Sequence, residues 1–229
     1  MITLTAKLQA VRARIARAAR QYGRDPGNVV LLAVSKTWSS ACVREAAAAG
    51  QRAFGESYLQ EGLAKMAELA ALNLDWHFIG ALQANKTRGV AENFDWVHSL
   101  DRLHVAERLS AQRPPSRRPL SVCLQVNISG EASKAGVSPA DAPALARVVA
   151  GLPGLRLRGL MCVPAPSDDF LEQRHSFRRL RELAEQMQAD GLPLDTLSMG
   201  MSHDLEAAIA EGATLVRVGS AIFGERQKV

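Results

Sequence analysis

A chain of 229 residues, 47% hydrophobic and 22% charged, has room for one globular domain with a substantial core and is short for two. No apolar run reaches the roughly 20 residues that a membrane-spanning helix requires. The net charge of +5 raises nucleic-acid binding, but there is no helix-turn-helix signature or zinc-finger spacing. Two Tyr, three Trp and six Phe supply few platforms for stacking bases. The charge reads as a solvated basic face, and neither nucleic acid nor membrane is expected as a partner.

The first element spans Lys7 to Arg24. It carries Arg12, Arg14, Arg17, Arg20 and Arg24 with no acidic residue, a composition shared with transit peptides. Leu8, Val11, Ile15, Ala18 and Tyr22 recur at spacings of three and four, which predicts an ordinary amphipathic helix with one apolar stripe.

Beyond it the sequence alternates. Strand-like runs fall at Val29–Ser35, Arg52–Gly55, Trp76–Gly80, Trp96–Ser99, Leu120–Asn127, Leu155–Met161, Thr196–Met199 and Leu215–Gly219. Helical stretches between them are Ala41–Ala49, Leu59–Leu72, Asn85–Asn93, Leu103–Gln112, Pro139–Ala150, Phe170–Ala189 and Asp204–Glu211. Several strands are continuously apolar, as parallel strands buried on both faces are. An eightfold β–α alternation predicts an α/β fold: a single (β/α)8 TIM-type barrel over residues 1–229, preceded by a helix. An open doubly wound sheet is the alternative, but neither GxGxxG nor GxxxxGK[ST] occurs.

Cys42, Cys123 and Cys162 are scattered, without CxxC or metal-ligand spacing, which fits a reducing cytoplasm and predicts no metal site. Cys123 and Cys162 fall in or beside apolar strands and read as core.

In such barrels chemistry sits at the C-terminal ends of the strands. Lys36 follows Ser35 and six apolar residues. Either its stem snorkels to solvent, or burial favours the neutral amine, the form that attacks an aldehyde. After the seventh and eighth strands come Gly200-Met201-Ser202 and Gly219-Ser220. These are tight turns with a capping serine, or a cup of hydroxyls and backbone N–H groups for a phosphate. A reactive lysine facing a phosphate cup describes a phosphorylated aldehyde. Arg217, at the end of a buried strand, must find an acceptor. It pairs with Asp204 or Glu56, or donates to the ring nitrogen of a bound cofactor. His77 shapes a pocket wall or is a satisfied core residue. The loop Ser129–Gly136, with Glu131 and Lys134, is a lid or plain surface.

These stretches carry a resemblance. Leu32-Ala33-Val34-Ser35-Lys36-Thr37, Phe54-Gly55-Glu56, Trp76–Gly80, Leu82–Lys86, Lys134-Ala135-Gly136, Leu197–Ser202 and Arg217–Gly224 span nearly the whole chain in order. The sequence resembles the YggS/PROSC family of pyridoxal phosphate homeostasis proteins, whose barrel is similar to the alanine racemase N-terminal domain. The resemblance implies pyridoxal 5′-phosphate (PLP) as a Schiff base on Lys36, phosphate contacts from Ser202, Gly219 and Ser220, and Arg217 at the pyridine nitrogen. Met199 and Ser57 complete the implied cofactor-binding set. Ser57 stands where the family typically has Asn, so it offers a shorter side chain there.

Three functions compete: a PLP carrier without turnover, an amino-acid racemase-like enzyme on the same site, and a nucleic-acid module suggested by charge alone. The racemases carry a second, β-rich domain that supplies a tyrosine, whereas this sequence offers only Tyr22 and Tyr58. An arginine at the ring nitrogen also weakens the ring as an electron sink. The expectation is therefore a cytoplasmic, monomeric PLP-binding protein of vitamin B6 homeostasis, with no catalytic residue. PLP-requiring apoenzymes would be its recipients.

Overall fold

The structure, a computed structural model, describes residues 2–131 and 134–224. Eight parallel strands close into a barrel in chain order: β1 (Val30–Val34), β2 (Ala53–Glu56), β3 (Asp75–Phe78), β4 (Trp96–Leu100), β5 (Leu120–Gln125), β6 (Leu155–Met161), β7 (Thr196–Ser198) and β8 (Leu215–Val218). β8 returns to β1 with Leu32 opposite Arg217 and Ala33 opposite Val218. The register places the polar ends of β1 and β8 side by side. The expected barrel is the observed one, with strand limits within about two residues of those read from the sequence.

The first helix, α1 (Leu4–Gln21), starts three residues earlier than the basic segment suggested. Thr3 caps it, its hydroxyl accepting from the Ala6 N–H at 3.2 Å as N-cap residues do. Leu8, Val11, Ile15 and Ala18 are buried, and Tyr22 sits just beyond the helix with Arg174 stacked over its ring at 5.8 Å. The arginines are largely internal ties. Arg12 donates to Ala49 O and Arg24 to Ile209 O and Ala213 O, while Arg113 is buried on three backbone carbonyls. The basic residues that prompted a nucleic-acid reading are thus partly spent on holding the fold.

The outer helices are α2 (Ser40–Ala48), α3 (Leu59–Glu68), α4 (Thr87–Asn93), α5 (Leu103–Gln112), α6 (Ala142–Ala150), α7 (Phe170–Ala189), α8 (Leu205–Ala210) and α9 (Ser220–Phe223). α7 shows why they form. The Asp169 carboxylate accepts from Leu171 N and Glu172 N. Phe177, Leu180, Ala184 and Met187 then fall on one buried face, each large apolar side chain contributing roughly 1.5–3 kcal/mol.

Most of the apolar core lies between the barrel and this ring of helices, with only Leu32, Ala53 and Leu215, joined by Ile79, clustering separately. The barrel also holds polar groups: His77, His98, Ser198 and Arg217 are all buried and bonded in sequence. Interiors of this fold are ordinarily filled by branched aliphatics.

The Ser129–Gly136 loop is tied at its base, where Asn127 Nδ2 donates to Glu131 O at 2.8 Å. Glu131 and Lys134 form an ion pair at 3.1 Å; Ala132 and Ser133, within the loop read as a lid or plain surface, lie outside the described residues. Among the described residues no helix is long and apolar enough to cross a membrane, and no group of three metal-ligating side chains occurs.

Candidate functional site

Lys36 stands on the turn that follows β1. Ser35 continues the strand, its N–H donating to Gly55 O at 3.0 Å. Thr37 takes a left-handed φ of 69°, uncommon for a β-branched residue and held by its surroundings. The clasp is a buried charge cluster. Lys65 Nζ donates to Ser35 O at 2.7 Å, to Glu56 Oε1 at 2.8 Å and to Glu61 Oε1 at 2.6 Å. Glu56 Oε1 also accepts from the Ser35 hydroxyl, and Glu61 Oε1 from the Thr37 N–H. Bonds before and after Lys36 therefore fix its backbone. Burial pushes the Glu56 carboxyl above its ordinary value, against the Lys65 ammonium and the Ser35 hydroxyl, which favour the charged form.

Across the mouth, Gly200 adopts φ 92°, and a Cβ there would lie 2.5 Å from Ala208 Cβ. Only glycine fits this turn. It carries the chain from β7 to Met201 and Ser202, and Met201 N–H donates to the Asp204 carboxylate. Asp204 is the N-cap residue of α8, so Ser202 is not capping that helix. Its hydroxyl instead accepts from Ser220 Oγ at 3.1 Å. From behind, Arg14 of α1 braces the loop, donating to Ser202 O and to the Glu206 carboxylate.

Lys36, Ser202, Arg217, Gly219 and Ser220 line one cavity of about 290 Å³, together with Trp38, Ile79 and other residues of the barrel mouth. This is near the lower end of roughly 300–1,000 Å³ for small-molecule sites. Five of the seven expected site residues thus meet. Met199 does not line the cavity. It is fully buried in the outer core, because strand alternation sends its neighbour Ser198 inward and Met199 outward. Ser57 does not line it either; its carbonyl lies against Gly80, where a Cβ would be 2.2 Å away.

Arg217 pairs with neither Asp204 nor Glu56. Its Nη1 donates to Ser198 O at 2.6 Å and Ser198 Oγ at 2.8 Å, and its Nη2 to Cys162 O at 2.8 Å. Ser198 Oγ contacts His98 Nδ1 at 2.8 Å, and His98 Nε2 contacts His77 Nδ1 at 2.8 Å. His77 is therefore no part of the mouth; it borders a cavity at the opposite end, beside Trp96 and Arg158. That cavity is larger, about 620 Å³, but the Arg158 and Asp195 charges on its wall already satisfy each other.

The cup fits a phosphate: two hydroxyls meet beside Gly219, where a Cβ would stand 3.2 Å from Val34 O. Lys36 supplies an amine for an aldehyde, and Arg217 supplies donors for an aromatic nitrogen. Sequence reasoning missed Trp38, Ile79, the Lys65 clasp and the His98–Ser198 pair. Only His98 and Ser198 carried a readable signal, as polar residues within apolar strands.

A closed parallel barrel with a lysine after its first strand and a small-residue cup after its last two is the alanine racemase type of barrel. The family model for the alanine racemase N-terminal domain matches residues 6–227. The pyridoxal phosphate homeostasis protein of Pseudomonas aeruginosa is 61% identical over 226 residues, covering 99% of this chain and 97% of that protein. The Escherichia coli K12 protein of the same name is 50% identical over 222 residues, covering 96% and 95%. The PLP-bound structure of PipY from Synechococcus elongatus superposes with a TM-score of 0.80 at 42% identity, covering 92% of this chain and all (100%) of that one. The chain belongs to the alanine racemase N-terminal domain family, and within it to the pyridoxal phosphate homeostasis proteins.

Proposed function

We propose that this protein binds PLP as a Schiff base on Lys36 and serves intracellular vitamin B6 homeostasis, holding the cofactor and releasing it to PLP-requiring apoenzymes. The observation that carries the reading is the convergence of Lys36, Arg217, Ser202 and Ser220 on one cavity. The Lys36 amine adds to the cofactor aldehyde and water leaves, so the linkage is reversible by hydrolysis. Ser202, Gly219 and Ser220 take the phosphate and Arg217 the pyridine nitrogen. The PLP-bound PipY structure and the names of the relatives support the same ligand.

The reading extends to a monomeric carrier in the cytoplasm that turns over no amino acid at an enzyme-like rate. Unpaired thiols at Cys42, Cys123 and Cys162 suit a reducing compartment. Against catalysis stands Arg217, a cation that disfavours protonation of the ring nitrogen it faces. Among the described residues the cavity wall carries no carboxylate or tyrosine, and His203 is its one histidine.

The test is a titration of the purified protein with PLP, followed by visible absorbance. The holoprotein is then incubated with each common L-amino acid while chirality, carbon dioxide and keto acids are followed. Appearance of a bound chromophore without turnover supports the carrier. Turnover at about 1 s⁻¹ or more, lost in Lys36→Ala, would make the protein an enzyme.

A further inference from the structure

Four side chains from four strands form one hydrogen-bonded chain through the barrel, from Arg217 at the mouth through Ser198 and His98 to His77, each link 2.8 Å long. None is more than 5% exposed. In so dry a place every polar hydrogen needs an acceptor.

Valence sets the direction of each bond. A guanidinium only donates, so Ser198 Oγ accepts from Arg217 and its own hydrogen goes to His98 Nδ1. His98 therefore carries its hydrogen on Nε2 and gives it to His77 Nδ1, which leaves the His77 hydrogen on Nε2. The reverse order would aim two donors at Ser198 Oγ and strand its hydroxyl hydrogen. Both imidazoles stay neutral: burial lowers His77 to about 3, and burial, with His77 and Arg217 adding to it, holds His98 well below 6.5.

The count of donors on Arg217 gives this order a purpose. Of the five guanidinium hydrogens, both on Nη1 go to Ser198 and one on Nη2 goes to Cys162 O. One hydrogen on Nη2 and the one on Nε remain, and Arg217 borders the cavity. The plane of the guanidinium, and so the aim of those two donors, is set by its bonds to Ser198 and Cys162.

We infer that His98, backed by His77, is a positioning residue for the cofactor: it holds the Ser198 hydroxyl as an acceptor and thereby aims Arg217 at the ring nitrogen. This rests on the PLP reading above. Without His98 the hydroxyl rotates to find another acceptor, and the Arg217 fork loses one of its three anchors.

The experiment compares PLP with its carbocyclic analogue, in which the ring nitrogen is a C–H, on the full chain. Ligand is titrated against wild type, His98→Phe and Ser198→Ala by visible absorbance, with circular dichroism to check folding. His98→Phe is expected to weaken PLP roughly tenfold and to shift the absorbance maximum of the bound chromophore. Its affinity for the analogue should match wild type within about twofold. Ser198→Ala removes a single hydroxyl and must behave alike, so it carries the test if His98→Phe does not fold. Equal weakening of both ligands, or unchanged PLP affinity, overturns the inference and leaves PLP on Lys36 standing. A wild-type chain that takes up no PLP overturns the underlying reading and the inference together.

Discussion

The Ser220 hydroxyl donates to Ser202 Oγ across 3.1 Å, although the residues belong to different βα loops and lie 18 positions apart. The direct pairing of β7 with β8, Ser198 opposite Leu215, makes them the two lips of one cup. A phosphate seated there accepts from both hydroxyls and replaces their mutual bond. Each charge-assisted hydrogen bond contributes roughly 1.5–3 kcal/mol, so Ser202→Ala should weaken PLP by about tenfold or more. Pyridoxal, which lacks the phosphate, should bind the variant and wild type alike. Parallel weakening of both ligands in the same titration would place the phosphate elsewhere.

Lys65 is the buried cation that ties Glu56, Glu61 and Ser35 around the Lys36 turn. Removing one partner of a buried pair leaves an uncompensated charge and costs about 3–5 kcal/mol. Lys65→Met should lower the urea midpoint accordingly and displace Lys36, reducing PLP uptake. The double variant Lys65→Met, Glu56→Gln removes the orphaned carboxylate and should recover much of the stability. A double variant no more stable than Lys65→Met would show that the charge was not the cause.

His77 is buried with its pKa lowered from 6.5 to about 3 by desolvation. The folded group stays neutral while the unfolded one takes up a proton, so the stability it contributes is present above about pH 6.5 and is lost as pH falls toward 3. Linkage gives a slope of about 1.4 kcal/mol per pH unit. Chemical denaturation of wild type and His77→Gln between pH 6 and 4 checks this. The variant should show the shallower decline, and identical slopes would mean that His77 is solvated and titrates normally.

Gly200 turns the chain between β7 and Ser202 with φ 92°, and a Cβ would press on Ala208 at 2.5 Å. Gly200→Ala should cost at least roughly 1–3 kcal/mol of backbone strain and displace the cup. A thermal scan and a PLP titration should both register it; a fully stable variant with wild-type affinity would show that the loop tolerates another path.

The barrel was legible because its signals are local: strand-like runs of four to eight residues, helices with three-and-four spacing, and turns between them. The meeting of Ser202, Gly219 and Ser220 at one cavity was legible for a related reason, since small residues after the last two strands announce themselves in sequence. Met199 and Ser57 were not separable from their neighbours, because which of two adjacent side chains faces the cavity depends on strand parity and on where β7 and β2 end. The partners of Arg217 were hidden for another reason. Its bonds to Ser198 and Cys162, and the link from Ser198 to His98 across 100 positions, exist only once the barrel has closed.

The central claim is that Lys36 carries the cofactor. Borohydride reduction of the protein with PLP, followed by peptide mass mapping, tests it directly. The expected result is one reduced pyridoxyl adduct on the peptide containing Lys36, and none in Lys36→Ala at the same ligand concentration. An adduct of wild-type yield in Lys36→Ala, or one mapped to another lysine in wild type, would contradict the account.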